Sequence, residues 1–271
     1  MKMQSYRLWA VLGCLSLFAT AIFIFGFGYA VRDMLFPTNP TSEQVIPSPS
    51  PESAPIAADQ NEIRITAIGD SLTKGTGDSS GEGYVRQMVE GLKKEWKKPI
   101  RLINNLAVNG MRADQLAKKL KNDKGMRYAL QQSNLILLTI GGNDLFQFAM
   151  NNRTPGEPGI KMSALLKDLP LGLERLEVVF AELNRINPDA QLVYVGLYNP
   201  FYDLDELRDG SLEVQQWNKR AYEIIHKYPQ MQLVPTFDLF EKKIGNYMSS
   251  DHFHPNHEGY KAIAERIIQS L

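Results

Sequence analysis

Ile63-Arg64-Ile65-Thr66-Ala67-Ile68-Gly69-Asp70-Ser71-Leu72-Thr73 runs from an alternating apolar pattern straight into small and polar residues. A short apolar run that stops at glycine and is followed by a polar cluster reads as a buried strand opening into a loop. Four more runs of the same kind follow, at 100–105, 135–140, 192–197 and, more weakly, 231–234. The run at 135–140 is apolar at nearly every position, as a central strand covered on both faces should be. Helical periods separate the runs. Val85, Met88, Val89, Leu92 and Trp96 recur at steps of three and four, as do Leu173, Leu176, Phe180, Leu183 and Ile186. The last period, Tyr260, Ile263, Ala264, Ile267, Ile268 and Leu271, is the clearest. Strands alternating with helices predict an α/β domain with a parallel sheet over residues 63–271.

In an open parallel sheet, ligands gather beyond the carboxyl ends of the strands, where the strand order reverses. With the order 2-1-3-4-5, the loops after strands two, one and three lie side by side. They carry Val108-Asn109-Gly110, Gly69-Asp70-Ser71 and Gly141-Gly142-Asn143-Asp144. Ser71 is the candidate nucleophile; taken alone it reads first as a turn or N-cap serine. The Ser71 N–H, the Gly110 N–H and the Asn143 side-chain amide are candidate oxyanion donors, each such donor typically worth ~3 kcal/mol or more. Alone, Gly110 reads as a turn glycine and Asn143 as an Asx-turn. Near the other end, Asp251-His252-Phe253-His254-Pro255 offers His254 as a base and Asp251 as the carboxylate that orients it. Pro255 disfavours helix at His254 and sets the start of the last helix just beyond.

These four blocks, Gly-Asp-Ser-Leu at 69–72, Asn-Gly at 109–110, Gly-Gly-Asn-Asp at 141–144 and Asp-x-x-His-Pro at 251–255, occur in the order that characterises the SGNH hydrolases. Residues 63–271 resemble that family, the GDSL esterases and lipases, in a membrane-anchored bacterial form. The resemblance implies a flavodoxin-like three-layer α/β/α sandwich with a five-stranded parallel sheet. It implies a serine ester hydrolase working through Ser71, His254 and Asp251, with Ser71, Gly110 and Asn143 as the oxyanion hole. It requires no metal or other cofactor. The elbow Gly-x-Ser-x-Gly of the other large serine-esterase fold is absent, because position 73 is threonine. Phe146, Phe148 and Met150 are candidates for an acyl pocket, or equally core contacts. The residues 151–160, rich in proline and glycine, are a candidate rim. Acyl length and alcohol identity have no signature here.

Two other functions compete. Asp251, His252, His254 and His257 form a ligand-like cluster that would suit a metal-dependent hydrolase. A non-catalytic membrane-tethered binding module is the other, since fold is not function. The turn Gly75-Thr76-Gly77-Asp78-Ser79-Ser80-Gly81 has the wrong spacing for a dinucleotide loop and reads as a flexible segment beside Ser71.

The rest of the chain sets location. With 30 basic and 30 acidic side chains the net charge is zero, so no overall field favours nucleic acid. The single cysteine, Cys14, permits no internal disulfide. Residues 8–31 carry no charge; as a helix they span about 36 Å, enough to cross a bilayer core. Lys2 and Arg7 precede this segment, which predicts a cytoplasmic N-terminus and an extracytoplasmic remainder. A single-pass anchor over 1–36 is the expectation; secretion after signal cleavage is the alternative. Residues 37–62 hold six prolines and read as an extended linker of up to about 80 Å. The expected partners are the membrane, through that helix, and an ester substrate of lipid or cell-envelope origin.

Overall fold

The computed structural model describes residues 2–35, 60–145, 163–203, 208 and 210–271. The chain divides into two units, Met1–Glu52 and Ser53–Leu271. The described residues of the first form one helix, α1 (Lys2–Leu35). Its stretch Leu12–Tyr29 has a mean hydropathy of 1.9 and is wholly exposed, so it is long and apolar enough to cross a membrane. A helix apolar all round has no water-facing side to offer, which is what lipid requires and water does not.

The second unit is a five-stranded sheet between helical layers. In chain order it comprises β1 (Ile63–Gly69), α2 (Ser71–Lys74), α3 (Gly83–Glu95), β2 (Ile100–Asn105), α4 (Ala113–Asn122), α5 (Lys124–Gln131) and β3 (Leu135–Thr139). There follow α6 (Ser163–Ile186), β4 (Gln191–Val195), α7 (Ser211–Ile225), β5 (Met231–Val234), α8 (Phe237–Tyr247) and α9 (His257–Ser270). All strand pairs are parallel, in the order β2-β1-β3-β4-β5. This is the expected order, with the reversal between β1 and β3.

The period of two along each strand sorts its side chains between two cores. On β3, Ile136 and Leu138 join Leu116, Leu130, Leu176, Phe180 and Trp217 from α4 to α7. Leu135 and Leu137 face the other way, onto Met88 and Leu92 of α3, Phe240 of α8 and Ile263 and Ile267 of α9. Every residue of β3 and β4 is buried, and each fully buried Leu or Ile contributes about 1.5–3 kcal/mol. Of the face expected on α3, Trp96 is only partly buried, as are Ile268 and Leu271 at the chain's end.

Two strands stop short of the carboxyl ends expected for them. β3 stops at Thr139, because Gly141 turns to φ +112° and the Ile140 carbonyl accepts instead from Tyr194 Oη at 2.9 Å. β4 stops at Val195 rather than 197. There the side-chain amide of Asn218 replaces the ladder, accepting from Leu197 N–H (2.8 Å) and donating to Leu197 O (2.7 Å).

Candidate active site

Gly69 and Asp70 fix where Ser71 stands. β1 and β3 come so close at their ends that a Cβ on Gly69 would lie 1.9 Å from Thr139 O, and its φ of +128° suits glycine alone. Asp70 then caps α2, accepting from Leu72 N–H at 3.1 Å. Ser71 is thus the first helical residue rather than the cap. Its N–H belongs to the first turn, where no intrahelical carbonyl is available.

The limb that meets Ser71 is a tight loop before α9. Met248 and Pro255 form an antiparallel bridge, Ser249 N–H donates to His254 O (2.8 Å), and Asn256 caps α9 by accepting from Gly259 N–H (3.0 Å). His252 takes φ +52° within this turn. Asp251 Oδ1 accepts from Ser249 Oγ (2.7 Å) and from the N–H groups of Phe253 and His254 (2.9 Å each). Its Oδ2 lies 2.6 Å from His254 Nδ1, and His254 Nε2 lies 2.8 Å from Ser71 Oγ. Burial tends to raise the Asp251 pKa, but these four hydrogen bonds, the imidazole's first, hold it far below the ordinary carboxylate range. An ionised acceptor at Oδ2 requires the proton of neutral His254 to sit on Nδ1. Nε2 is then the acceptor, and the Ser71 hydroxyl donates to it.

Ser71 and Asn143 line one small open cleft with Asp70, Leu72, Gly142, Leu197, Tyr198, Pro200 and Phe253. Gly110 is not among these. It sits at φ +73° with open space around it, in a loop tied to the Ser71 side by Val108 N–H to Gly69 O (2.9 Å) and Thr76 Oγ1 to Asn109 Oδ1 (3.0 Å). One hydrogen of the Asn143 amide goes to Met111 O at 2.9 Å, which leaves the second for a ligand. Asp144 locks the same two loops together by accepting from Ala113 N–H at 2.9 Å. Its burial lifts its pKa to about 6, against the pull of that N–H and of Arg175.

A buried chain of hydroxyls underlies Ser71. Asp70 Oδ1 accepts from Thr139 Oγ1 (2.6 Å), which lies 2.6 Å from Thr73 Oγ1, which lies 2.8 Å from Tyr84 Oη. Thr73 N–H also reaches Thr139 Oγ1 (3.0 Å), and Thr139 N–H reaches Thr73 Oγ1 (3.1 Å). With Asp70 as the final acceptor, the donors run Tyr84 to Thr73 to Thr139 to Asp70, and each threonine oxygen donates once and accepts twice. Burial, opposed mainly by the Thr139 bond, pushes the Asp70 pKa up to about 7. Thr139 is the one polar residue of an apolar strand, and sequence reasoning assigned it no role.

The ligand-like cluster divides: Asp251 pairs with His254 and not with His257. Both nitrogens of His254 are engaged as described, while His257 Nδ1 faces Asp78 Oδ2 (3.4 Å) and Ser80 Oγ (3.2 Å). Among the described residues no three His, Cys, Asp or Glu side chains converge on a metal position. Phe146, Phe148, Met150 and residues 151–160 lie outside the described residues.

The family model described as "GDSL-like Lipase/Acylhydrolase family" matches residues 67–262. The chain belongs to this family of ester hydrolases. It is similar to YpmR of Bacillus subtilis strain 168, an uncharacterized protein, with 35% identity over 214 residues, 77% of this chain and 81% of that relative. It is also similar to the spore germination lipase LipC of Bacillus licheniformis, with 25% identity over 76% of this chain and 94% of LipC. Among solved structures, the lipase Lip_vut3 from a goat rumen metagenome shares the fold, with a TM-score of 0.66 and 23% identity over 77% of this chain and 97% of that one.

Proposed function

We propose that this ester hydrolase works through Ser71, His254 and Asp251 and an acyl-enzyme intermediate, on the outer side of the cytoplasmic membrane. The observation that carries the proposal is the continuous line Asp251 Oδ2, His254 Nδ1, His254 Nε2, Ser71 Oγ, with contacts of 2.6 and 2.8 Å. His254 Nε2 takes the Ser71 proton as Oγ attacks the ester carbonyl carbon. The carbonyl oxygen gains the negative charge and is met by the Ser71 N–H, the Gly110 N–H and the free amide hydrogen of Asn143. The tetrahedral species collapses, the alcohol leaves with the proton from Nε2, and the acyl group stays on Ser71. Water then gives a proton to Nε2 and attacks the acyl carbon, and collapse returns the proton to Oγ with release of the acid.

Residues 1–36 serve as the single-pass anchor, 37–62 as the extracytoplasmic linker and 63–271 as the catalytic domain. The exposed apolar helix supports the first assignment. The apolar cleft walls Leu72, Leu197, Pro200 and Phe253 suit an acyl chain, and LipC is named a lipase. A lipid or other cell-envelope ester is the substrate class these features favour. Purified full-length Ser71→Ala, assayed in detergent micelles on p-nitrophenyl esters, should retain its fold and lose turnover. Hydrolysis by that variant near the wild-type rate would exclude Ser71 as the nucleophile.

A further inference from the structure

The turn between α2 and α3 lies outside the four family blocks, yet it touches both halves of the triad. On the Ser71 side, Gly75 N–H and Thr76 N–H both donate to Ser71 O, at 3.1 and 3.0 Å. On the other side stands Gly77, with φ +95°. A Cβ there would lie 2.6 Å from Pro255 O, 2.7 Å from His254 Cβ and 3.0 Å from Ser249 Oγ. All three groups belong to the Asp251–His254 limb, and Ser249 Oγ is itself a donor to Asp251. The turn is clamped in this position. Tyr260 Oη of α9 donates to Thr76 O at 2.6 Å. Asp78 accepts from Ser80 N–H, Ser80 Oγ and Gly83 N–H at 2.7–2.9 Å, which fixes the turn's far side.

We infer that Gly77 is a positioning residue for ester hydrolysis: its bare Cα is the seat that lets the His254 limb settle within hydrogen-bond reach of Ser71. The inference rests on the triad proposed above. Ser71 and His254 are 183 residues apart in sequence, and beside their own hydrogen bond this turn packs against the His254 limb. Ordinary contact with a Cβ begins at about 3.4 Å, so an alanine at 77 must push the limb back by roughly 0.8 Å. A misplacement of about 1 Å between reacting groups costs on the order of 100-fold in rate.

Alanine at a positive φ is also strained in itself, so the test needs a matched control. Gly81 supplies it: the same turn, φ +73°, and nothing within 4 Å of its Cβ position. Full-length wild type, Ser71→Ala, Gly77→Ala and Gly81→Ala are compared in detergent micelles by p-nitrophenyl acetate kinetics, fluorophosphonate inactivation rate and thermal melting. Gly77→Ala should lose about 100-fold in kcat with KM within about twofold, and lose phosphonylation rate in parallel. Gly81→Ala should keep kcat within about threefold while melting lower, as strain without displacement requires. Equal kcat in the two alanine variants would overturn the inference. If Gly77→Ala does not fold, Tyr260→Phe decides, because it releases the clamp on Thr76 without adding an atom. It should lower kcat about fivefold or more at unchanged KM, and wild-type kcat would refute the seat. Turnover surviving Ser71→Ala overturns the triad itself; full turnover in Gly77→Ala beside an inactive Ser71→Ala overturns only the role of Gly77.

Discussion

Replacing Asp251 by asparagine changes one atom, and the hydrogen bonds around it dictate the outcome. Three donors, Ser249 Oγ and the N–H groups of Phe253 and His254, point at Oδ1. An asparagine must therefore put its carbonyl oxygen at the Oδ1 position, since an NH₂ there would face three donors. The NH₂ then occupies the Oδ2 position, 2.6 Å from His254 Nδ1. It donates, so Nδ1 must accept, and the single proton of the neutral imidazole moves to Nε2. Nε2 faces Ser71 Oγ and can no longer take its proton. The base is lost although every heavy atom stays in place. A wrong tautomer of this kind costs about 10⁴ in kcat, or roughly 5 kcal/mol of transition-state stabilisation. Steady-state hydrolysis of a p-nitrophenyl ester by full-length Asp251→Asn should show that loss with KM little changed. Activity within tenfold of wild type, with the fold intact, would refute the tautomer argument and remove Asp251 from the mechanism.

Other expectations follow from the same contacts. Asn143→Ala removes one oxyanion donor and should lower kcat by about 10²–10³ without a matching rise in KM; an unchanged kcat would exclude that donor. Thr73→Val leaves the Tyr84 hydroxyl and the Thr139 N–H buried without a partner, so it should destabilise the fold by about 2–4 kcal/mol, seen as a lower Tm or denaturant midpoint. A Thr73→Val variant as stable as wild type would show that water satisfies those groups. Asp70 makes stability depend on pH in a stated direction. Its folded pKa of about 7 lies above the ordinary 3.8, so between these values the folded chain holds a proton that the unfolded chain has released. Stability from this group therefore falls as pH rises through that window, by up to about 4 kcal/mol. Asp70→Asn should lack this slope, so its Tm should gain on wild type between pH 4.5 and 7; parallel curves would show that Asp70 is not so perturbed.

The fold was legible because its signals are local. β3 is buried on both faces, and its unbroken apolar run announces a central strand. The helical periods name the faces that pack on it, from Val85 to Leu92 and from Tyr260 to Ile267. Strand ends were less legible, because they depend on groups distant in sequence. Asn218 ends β4 from a helix more than twenty residues on, and no property of residues 196 and 197 foretells it. At the candidate site, the residues proposed to carry the chemistry stand in short motifs and could be picked out singly. What holds them together could not. Gly77 and Asp78 sit in a turn without periodicity, and the part played by Gly77 is the absence of a side chain. Thr73 and Thr139 read as incidental polar residues until β1 and β3 are paired, which sets Gly69 opposite Thr139. His257 faces the buried Asp78 instead of Asp251, a pairing that the sequence alone does not connect to α9.

The claim on which the mechanism stands is that Ser71 is the one serine made nucleophilic by its neighbours. The direct measurement is intact-mass analysis and peptide mapping of the full-length chain after exposure to a fluorophosphonate, for wild type and His254→Ala. One phosphonyl adduct should form, on Ser71, with loss of esterase activity in step, and its rate should collapse in His254→Ala. An adduct on another residue, or full inhibition of turnover with Ser71 unmodified, would contradict it.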